Sequence, residues 1–291
     1  MAIDYQALKH WHFPEVRQTY TDRDTILYAL GIGFGHDPLS PDHLRYLYEQ
    51  QDLRSFPTQS VVLGYPGFWI RDPRTGVDWV RLVHGEQRMR IHAPLARSGT
   101  VVGQTRVTHV VDKGADKGAI VITERTLHDE HGTLLATLSQ STFCRGDGGF
   151  GEGDAAPEAL TATPAGAPQA STDLPISERA ALIYRLCADD NPLHADPEVA
   201  RKAGFPRPIL HGLCTYAVAA RAIVEQYCAG DGDRLTSLDV RFSSPVYPGE
   251  TLTVDTWRDG QGRVRFLARI AERDNKVVLS HGTATFKEGH A

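Results

Sequence analysis

The chain has 291 residues, 41% hydrophobic and 23% charged, with 36 acids against 31 bases for a net charge of -5. That length supports one large or two ordinary domains with real cores. The acidic balance argues against a nucleic-acid surface, and no window approaches the ~20 apolar residues of a membrane span.

The start, MAIDYQALKHWHFPEV, has no basic segment followed by an apolar one, so no secretory signal is visible. The tail FKEGHA carries no peroxisomal or prenylation signal. Cys144, Cys187, Cys214 and Cys228 form no CxxC pair and read as small buried hydrophobes in a reducing, cytoplasmic setting. The histidines of HWH (10–12) lack carboxylate or thiolate partners at ligand spacing, so no metal is expected.

Thr21 opens a polar-capped helical stretch that runs into GIGFG (31–35) and a Pro-containing irregular segment. GIGFG superficially resembles a dinucleotide fingerprint, but it follows a helix and misses the glycine spacing, which removes a nucleotide-cofactor site. No G-x-S-x-G elbow occurs. From Gly146 the run GDGGFGEGDAAPEALTATPAGAPQASTD offers few residues to a core and reads as a partly disordered surface linker. The resulting division is a first unit at 1–145, a linker at 146–173 and a second unit at 174–291.

The second unit begins at the helical signal of Ser177 and passes through CADDNPLHAD (187–196). HGLCTYAVAARAIVEQY then has apolar residues at helical spacing and no breaker after Gly212, which predicts one long, mostly buried helix. LTSLDVRFSSPV, ETLTVDTWRD, GRVRFLARIAER and KVVLSHGTATFKE follow, alternating, rich in Val, Thr and Phe, and separated by Gly/Asp turns.

The halves echo each other in order. TILYALGIGFGHDPLSPD (25–42) parallels ALIYRLCADDNPLHADPE (181–198), and SFPTQSVVLG (55–64) parallels GFPRPILHG (204–212). RIHAPLARSGT (90–100) parallels RFSSPVYPGET (241–251), and LLATLSQSTFCRG (134–146) parallels VVLSHGTATFKEG (277–289). This is an internal duplication with a period of about 150 residues. A long helix wrapped by an antiparallel sheet is the hot-dog plan, so two such repeats predict an α+β double hot-dog whose sheets can join edge to edge.

In this alignment Gly33 falls opposite Asp189 and Pro38 opposite His194, so only the second repeat carries the acid and the imidazole. Pro192 pushes Asn191 out of the helical region, which makes the segment a helix end followed by a sharp bend. The plainer account is that Asp189 caps a turn and His194 is a satisfied, partly buried imidazole. Gly212, in the first turn of the long helix, adds an uncapped backbone N–H at a positive dipole end, suited to a developing oxyanion. Acid, imidazole and oxyanion donor together suit proton transfer beside a thioester carbonyl.

CADDNPLHADPEVARKAGFPRPILHGL resembles the signature of the MaoC-like, type 2 enoyl-CoA hydratases, the (R)-specific branch. YTDRDTILYALGIG, LVHGEQ, VDKG and GDGGFG resemble the hydratase part of the peroxisomal multifunctional enzyme, so the likeness covers nearly the whole chain. One departure is Ala188, where the family usually has Gly; a minor shift of the turn is expected.

The resemblance implies that Asp189 and His194 hold one water over the double bond of trans-2-enoyl-CoA, giving (R)-3-hydroxyacyl-CoA without a cofactor. Asn191 orients the water or the catalytic side chains, and the Gly212 N–H polarises the thioester oxygen. Asp189 is the candidate for taking the water proton and His194 for supplying one to the alpha carbon, a division that sequence leaves open. His84, Gly85, Lys113 and Phe242 match positions that contact the CoA thioester, with Lys113 able to meet a CoA phosphate; by spacing alone Lys113 reads as a solvated turn lysine. The first repeat leaves room for a medium or long acyl tail, and a homodimer is implied. A thioesterase on the same fold and a non-catalytic acyl-CoA binding protein are the competing readings.

Overall fold

The computed structural model describes residues 3–187 and 189–288. The expected shift at Ala188 and the C-terminal Gly289–Ala291 lie outside these residues.

The first half forms α1 (Tyr5–Lys9), β1 (Val16–Tyr20), α2 (Asp22–Gly31), α3 (Pro41–Leu44), β2 (Leu82–Ile91), β3 (Gly99–Asp112), β4 (Ala119–Asp129) and β5 (Leu134–Cys144). The second forms β6 (Ala170–Pro175), α4 (Ala180–Tyr184), α5 (Pro197–Lys202), α6 (Gly212–Tyr227), β7 (Leu235–Phe242), β8 (Thr251–Arg258), β9 (Arg263–Ile270) and β10 (Lys276–Phe286). The strands make one ten-stranded antiparallel sheet in the order β1-β3-β4-β5-β2-β7-β10-β9-β8-β6. Read outward from the β2–β7 seam, each half repeats the same order, so the fold is the expected double hot-dog.

The duplication is visible at the residue level. Aligning Arg90 with Arg241 makes Arg88 and Asp239 counterparts, and these two residues face each other across the β2–β7 seam. Ion pairs cross the same seam from Arg90 to Asp239 and from Arg241 to Glu86. Tyr28 of α2 and Tyr184 of α4, also counterparts, pack with ring centroids 5.8 Å apart. Gly31 permits this approach, since a Cβ there would lie 3.3 Å from the Tyr184 Cα.

α6 is buried continuously from Cys214 to Val224, as a helix that is apolar nearly all round must be. Among the described residues, only the second repeat has such a helix. In the first repeat the 3-10 turn Pro57–Val61 leads to the matching glycine, Gly64, and Pro66 and Gly67 then keep a long helix from forming.

The linker departs from expectation in two ways. β6 pairs with β8 from Ala170, so the sheet takes up the chain before residue 174. β6 is an edge strand, where weak apolar alternation suffices. The stretch before it is exposed but fastened. Asp154 pairs with Lys9 at 2.8 Å, and Arg88 donates to the Glu158 carbonyl at 3.0 Å. Arg265 donates to the carbonyls of Thr161 and Ala162, and the Trp257 indole to that of Ala167 at 2.9 Å. Its length follows from topology: β5 and β6 are six strand steps apart, about 29 Å at normal strand spacing.

Candidate active site

α4 ends at Tyr184, and the chain then turns through Asp189–His194. The Asp189 carboxylate accepts from the Asn191 N–H at 2.9 Å, and the Asn191 carboxamide oxygen accepts from the Leu193 N–H at 3.0 Å. Asn191 is extended (φ -51, ψ 120), as a residue before proline should be, and Pro192 starts a 3-10 turn ending at His194. Two side-chain turns followed by one tight turn swing His194 back toward Asp189. The plainer account therefore holds locally, because Asp189 does close a turn. It leaves unexplained the convergence of Asp189, His194 and His211, whose ligand-type atoms all lie within 4.8 Å of one another.

His194 is buried, and its Nδ1 lies 2.9 Å from the Ile209 carbonyl. A carbonyl only accepts, so Nδ1 carries the hydrogen. Burial lowers the pKa of this imidazole, against the opposing effects of Ile209 and Asp189. Neutral His194 therefore presents Nε2 as a bare lone pair, a proton acceptor.

His211 was not among the expected site residues. Its Nε2 donates to the Asp189 carbonyl at 3.0 Å, its ring stacks on His194 at 3.7 Å between centroids, and it packs against Tyr184 at 5.0 Å. Burial, then the neighbouring His194, pushes it down to about 3, and its Nδ1 is buried without a partner. The signal for it lay in the repeat comparison: LG at Leu63–Gly64 becomes HG at His211–Gly212, the same kind of change that singled out Asp189 and His194.

The three groups are close enough to invite a metal. The two imidazoles, however, are stacked with planes 27° apart, so their in-plane lone pairs run side by side instead of meeting at one point.

His211 is also the N-cap of α6, and no side chain caps that end. The Cys214 and Thr215 N–H groups turn back to the His211 carbonyl, leaving the N–H groups of Gly212 and Leu213 as the helix's free donors among the described residues. A Cβ at Gly212 would sit 3.2 Å from the Phe242 ring. Phe242 in turn packs on His84 at 4.5 Å.

His84 and Gly85 form a bulge in β2: His84 faces Thr142, Glu86 faces Ser141, and Gly85 is the extra residue. A side chain at Gly85 would meet the Ser141 hydroxyl at 2.7 Å. Burial pushes His84 down to about 4 although Asp189 pulls the other way, and its Nε2 is buried without a partner.

The structure thus brings Asp189, Asn191, His194, Gly212, His84, Gly85 and Phe242 into one neighbourhood. Lys113 is exposed on the β3–β4 turn, tied through its backbone to Gly118. It lies at the His84 end of the sheet but three strands away, with no side-chain contact to the cluster among the described residues.

A ten-stranded double hot-dog with a polar cluster at the N-terminus of the long helix α6 defines a MaoC-like protein. The chain matches the MaoC like domain over residues 160–279 and the MFE-2 hydratase 2 N-terminal domain over 18–146, and it belongs to this family. It is 40% identical to the enoyl-CoA hydratase ChsH3 of Mycobacterium tuberculosis, over 96% of this chain and 98% of that protein. It is 41% identical to 3-hydroxyacyl-thioester dehydratase Y of the same organism, over 99% of this chain and 100% of the other. The crystal structure of a MaoC-like dehydratase from Phytophthora capsici superposes with a TM-score of 0.86 at 35% identity, covering 98% of this chain and 99% of that one.

Proposed function

We propose that this protein is a hydro-lyase that adds water to trans-2-enoyl-CoA to give (R)-3-hydroxyacyl-CoA, and catalyses the reverse dehydration. The observation that carries the reading is the convergence of Asp189 and neutral His194, within 4.8 Å, on His211, the N-cap of the uncapped α6.

On this reading His194, with its Nδ1 facing the Ile209 carbonyl, takes the water proton in place of Asp189, a choice that sequence leaves open. His194 Nε2 takes one proton from the water while the Asp189 carboxylate accepts a hydrogen bond from the other O–H. The hydroxyl oxygen bonds to the beta carbon, the double-bond electrons move to the alpha carbon, and His194 returns its proton there. The Gly212 N–H meets the negative charge that develops on the thioester oxygen. Asn191 holds the turn that aims both groups, and His211 acts as a positioning residue through Asp189 and His194.

His84, Gly85 and Phe242 wall the thioester, and Lys113 reaches a CoA phosphate at the rim. The first repeat, with a short turn where the second has a helix, accommodates a medium or long acyl tail. No helix of the described residues is long and apolar enough to cross a membrane. The reading keeps the protein in the cytoplasm as a homodimer, with its four cysteines unpaired.

The test is loss of enoyl-thioester absorbance with crotonyl-CoA and trans-2-decenoyl-CoA, with chiral analysis of the product. Turnover to the (R) alcohol supports hydration. Release of free CoA would replace it with a thioesterase, and binding without turnover with a carrier.

A further inference from the structure

Three arginines among the described residues are buried: Arg125, Arg221 and Arg265. Arg221 pairs with Glu225 at 3.1 Å and Arg265 with Asp259 at 3.6 Å. Arg125 is 8% exposed and has no carboxylate partner among the described residues. It makes one hydrogen bond, from Nη2 to the Val61 carbonyl at 2.6 Å, and its Nε is buried without a partner. Tyr65 lies over the guanidinium, 5.5 Å from ring centroid to Cζ. A guanidinium offers five donors and does not lose its charge near neutrality. Leaving it buried and unpaired is strongly unfavourable unless an anion meets it. The carbonyl that ends the Pro57–Val61 turn uses one donor and neutralises nothing.

Position gives the missing partner its character. Arg125 points to the inner face of β4, with Val121 and Leu127, whereas Glu124 pairs with Arg106 on the outer face. It therefore lines the first repeat, on the side covered by the segment from Val61 to Tyr65. Tyr65 also feels the Asp189 carboxylate, so it lies within electrostatic reach of both Arg125 and the catalytic cluster. Along the sheet Arg125 lies at the level of Leu138 and His84 at that of Thr142, about 14 Å along the strands and, two strands over, about 10 Å across them. That is the scale of an extended acyl tail.

We propose that Arg125 recognises a carboxylate on the far end of the acyl group, so that the substrates are enoyl-CoA half-thioesters of medium-chain dicarboxylic acids. The inference rests on the hydratase reading for the direction in which the tail runs. Tyr65 then acts as a wall, its ring covering the guanidinium until the carboxylate arrives.

The experiment measures equilibrium binding of saturated, unreactive thioesters to the full-length protein, so that it does not depend on turnover. Decanoyl-CoA is compared with its ω-carboxy counterpart, and butyryl-CoA with succinyl-CoA. The expected result is that the long ω-carboxy ligand binds about tenfold or more tightly than decanoyl-CoA, as a charge-assisted hydrogen bond in a dry site allows. The short pair, which cannot span the distance, shows no such preference. Arg125→Met removes the long-chain preference. Equal binding of the long pair, tighter binding of decanoyl-CoA, or a preference that the short pair shares would overturn the proposal, and these comparisons need no variant. Failure to hydrate crotonyl-CoA would instead overturn the hydratase reading and leave the binding ratios to decide the role of Arg125.

Discussion

The two repeats place the same backbone motif, a helix end running into an irregular turn, against opposite ends of one helix environment, and they fill it differently. In the first repeat Gly33 (φ +91) is covered by Arg221: a Cβ there would lie 2.6 Å from Nη1. Arg221 also donates to the Ile32 carbonyl, and Phe34 packs against Tyr46 and Phe56 at 4.6 and 5.2 Å. That turn is closed by aromatic rings and a paired guanidinium. In the second repeat the corresponding turn carries an exposed carboxylate, and two imidazoles occupy the neighbouring space. A duplicated scaffold has one turn packed to hold the halves together and one left polar and incompletely satisfied. Satisfaction around the second turn is incomplete: the Nδ1 of His211 and, reaching in from the first repeat, the Nε2 of His84 are buried without partners.

The contrast is broken most severely at Asp189. Asp189→Asn keeps an acceptor for the Asn191 N–H, so the turn should survive while hydration of crotonyl-CoA falls by about 10²–10⁴ in kcat. Retained far-UV circular dichroism would show that the loss is chemical.

A smaller effect is expected at His211. His211→Phe preserves the stack on His194 but removes the donor to the Asp189 carbonyl. It should lower kcat by about 10–100-fold through misplacement of Asp189, with KM changed little. A purely structural role would instead appear as lower thermal stability with kcat intact.

The first repeat should respond in stability, not in chemistry. Gly33→Ala forces a side chain into a left-handed backbone and onto Arg221, and should lower unfolding free energy by about 2 kcal/mol in denaturant titrations. Its kcat at 25 °C should match the parent. A large loss of kcat at full folding would mean that the packed turn takes part in the reaction.

The mildest expected effects are those of pH. His84, His194 and His211 all have pKa values lowered by burial, to about 4 for His84 and about 3 for His211. The unfolded chain binds protons at these residues near 6.5 while the folded chain does not, so their contribution to stability is complete above about 6.5. It is lost as pH falls from there toward 3–4, and Tm should fall over that window. For the same reason the acid limb of kcat/KM should lie below 6.5, because His194 stays neutral, and able to accept a proton, past its ordinary value. An acid limb above 6.5 would contradict the assigned tautomer.

Much of this was legible in the chain itself. The echo of Tyr28 in Tyr184 and of Arg90 in Arg241 marks a duplication, because like sequences pack alike and meet about a common axis. The unbroken apolar run after Gly212 marks a buried helix by periodicity alone. A difference between the copies, Gly33 against Asp189 and Pro38 against His194, is enough to locate the candidate site, since residues kept only for the fold would serve both copies. Other features depended on tertiary placement. His211 sits next to Gly212 in sequence, yet its significance comes from touching Asp189 across the turn. The tautomer of His194 depends on Ile209, fifteen residues away, whose carbonyl accepts from Nδ1. Lys113 could be set at the His84 end of the sheet, three strands away, only by strand order, and β6 could be recognised only by its partner β8, since an edge strand carries little pattern of its own. Arg125 reads as an ordinary strand arginine. Burial without a carboxylate is a property of its surroundings, and those are assembled from β4, the Pro57–Val61 turn and Tyr65 only when the chain folds.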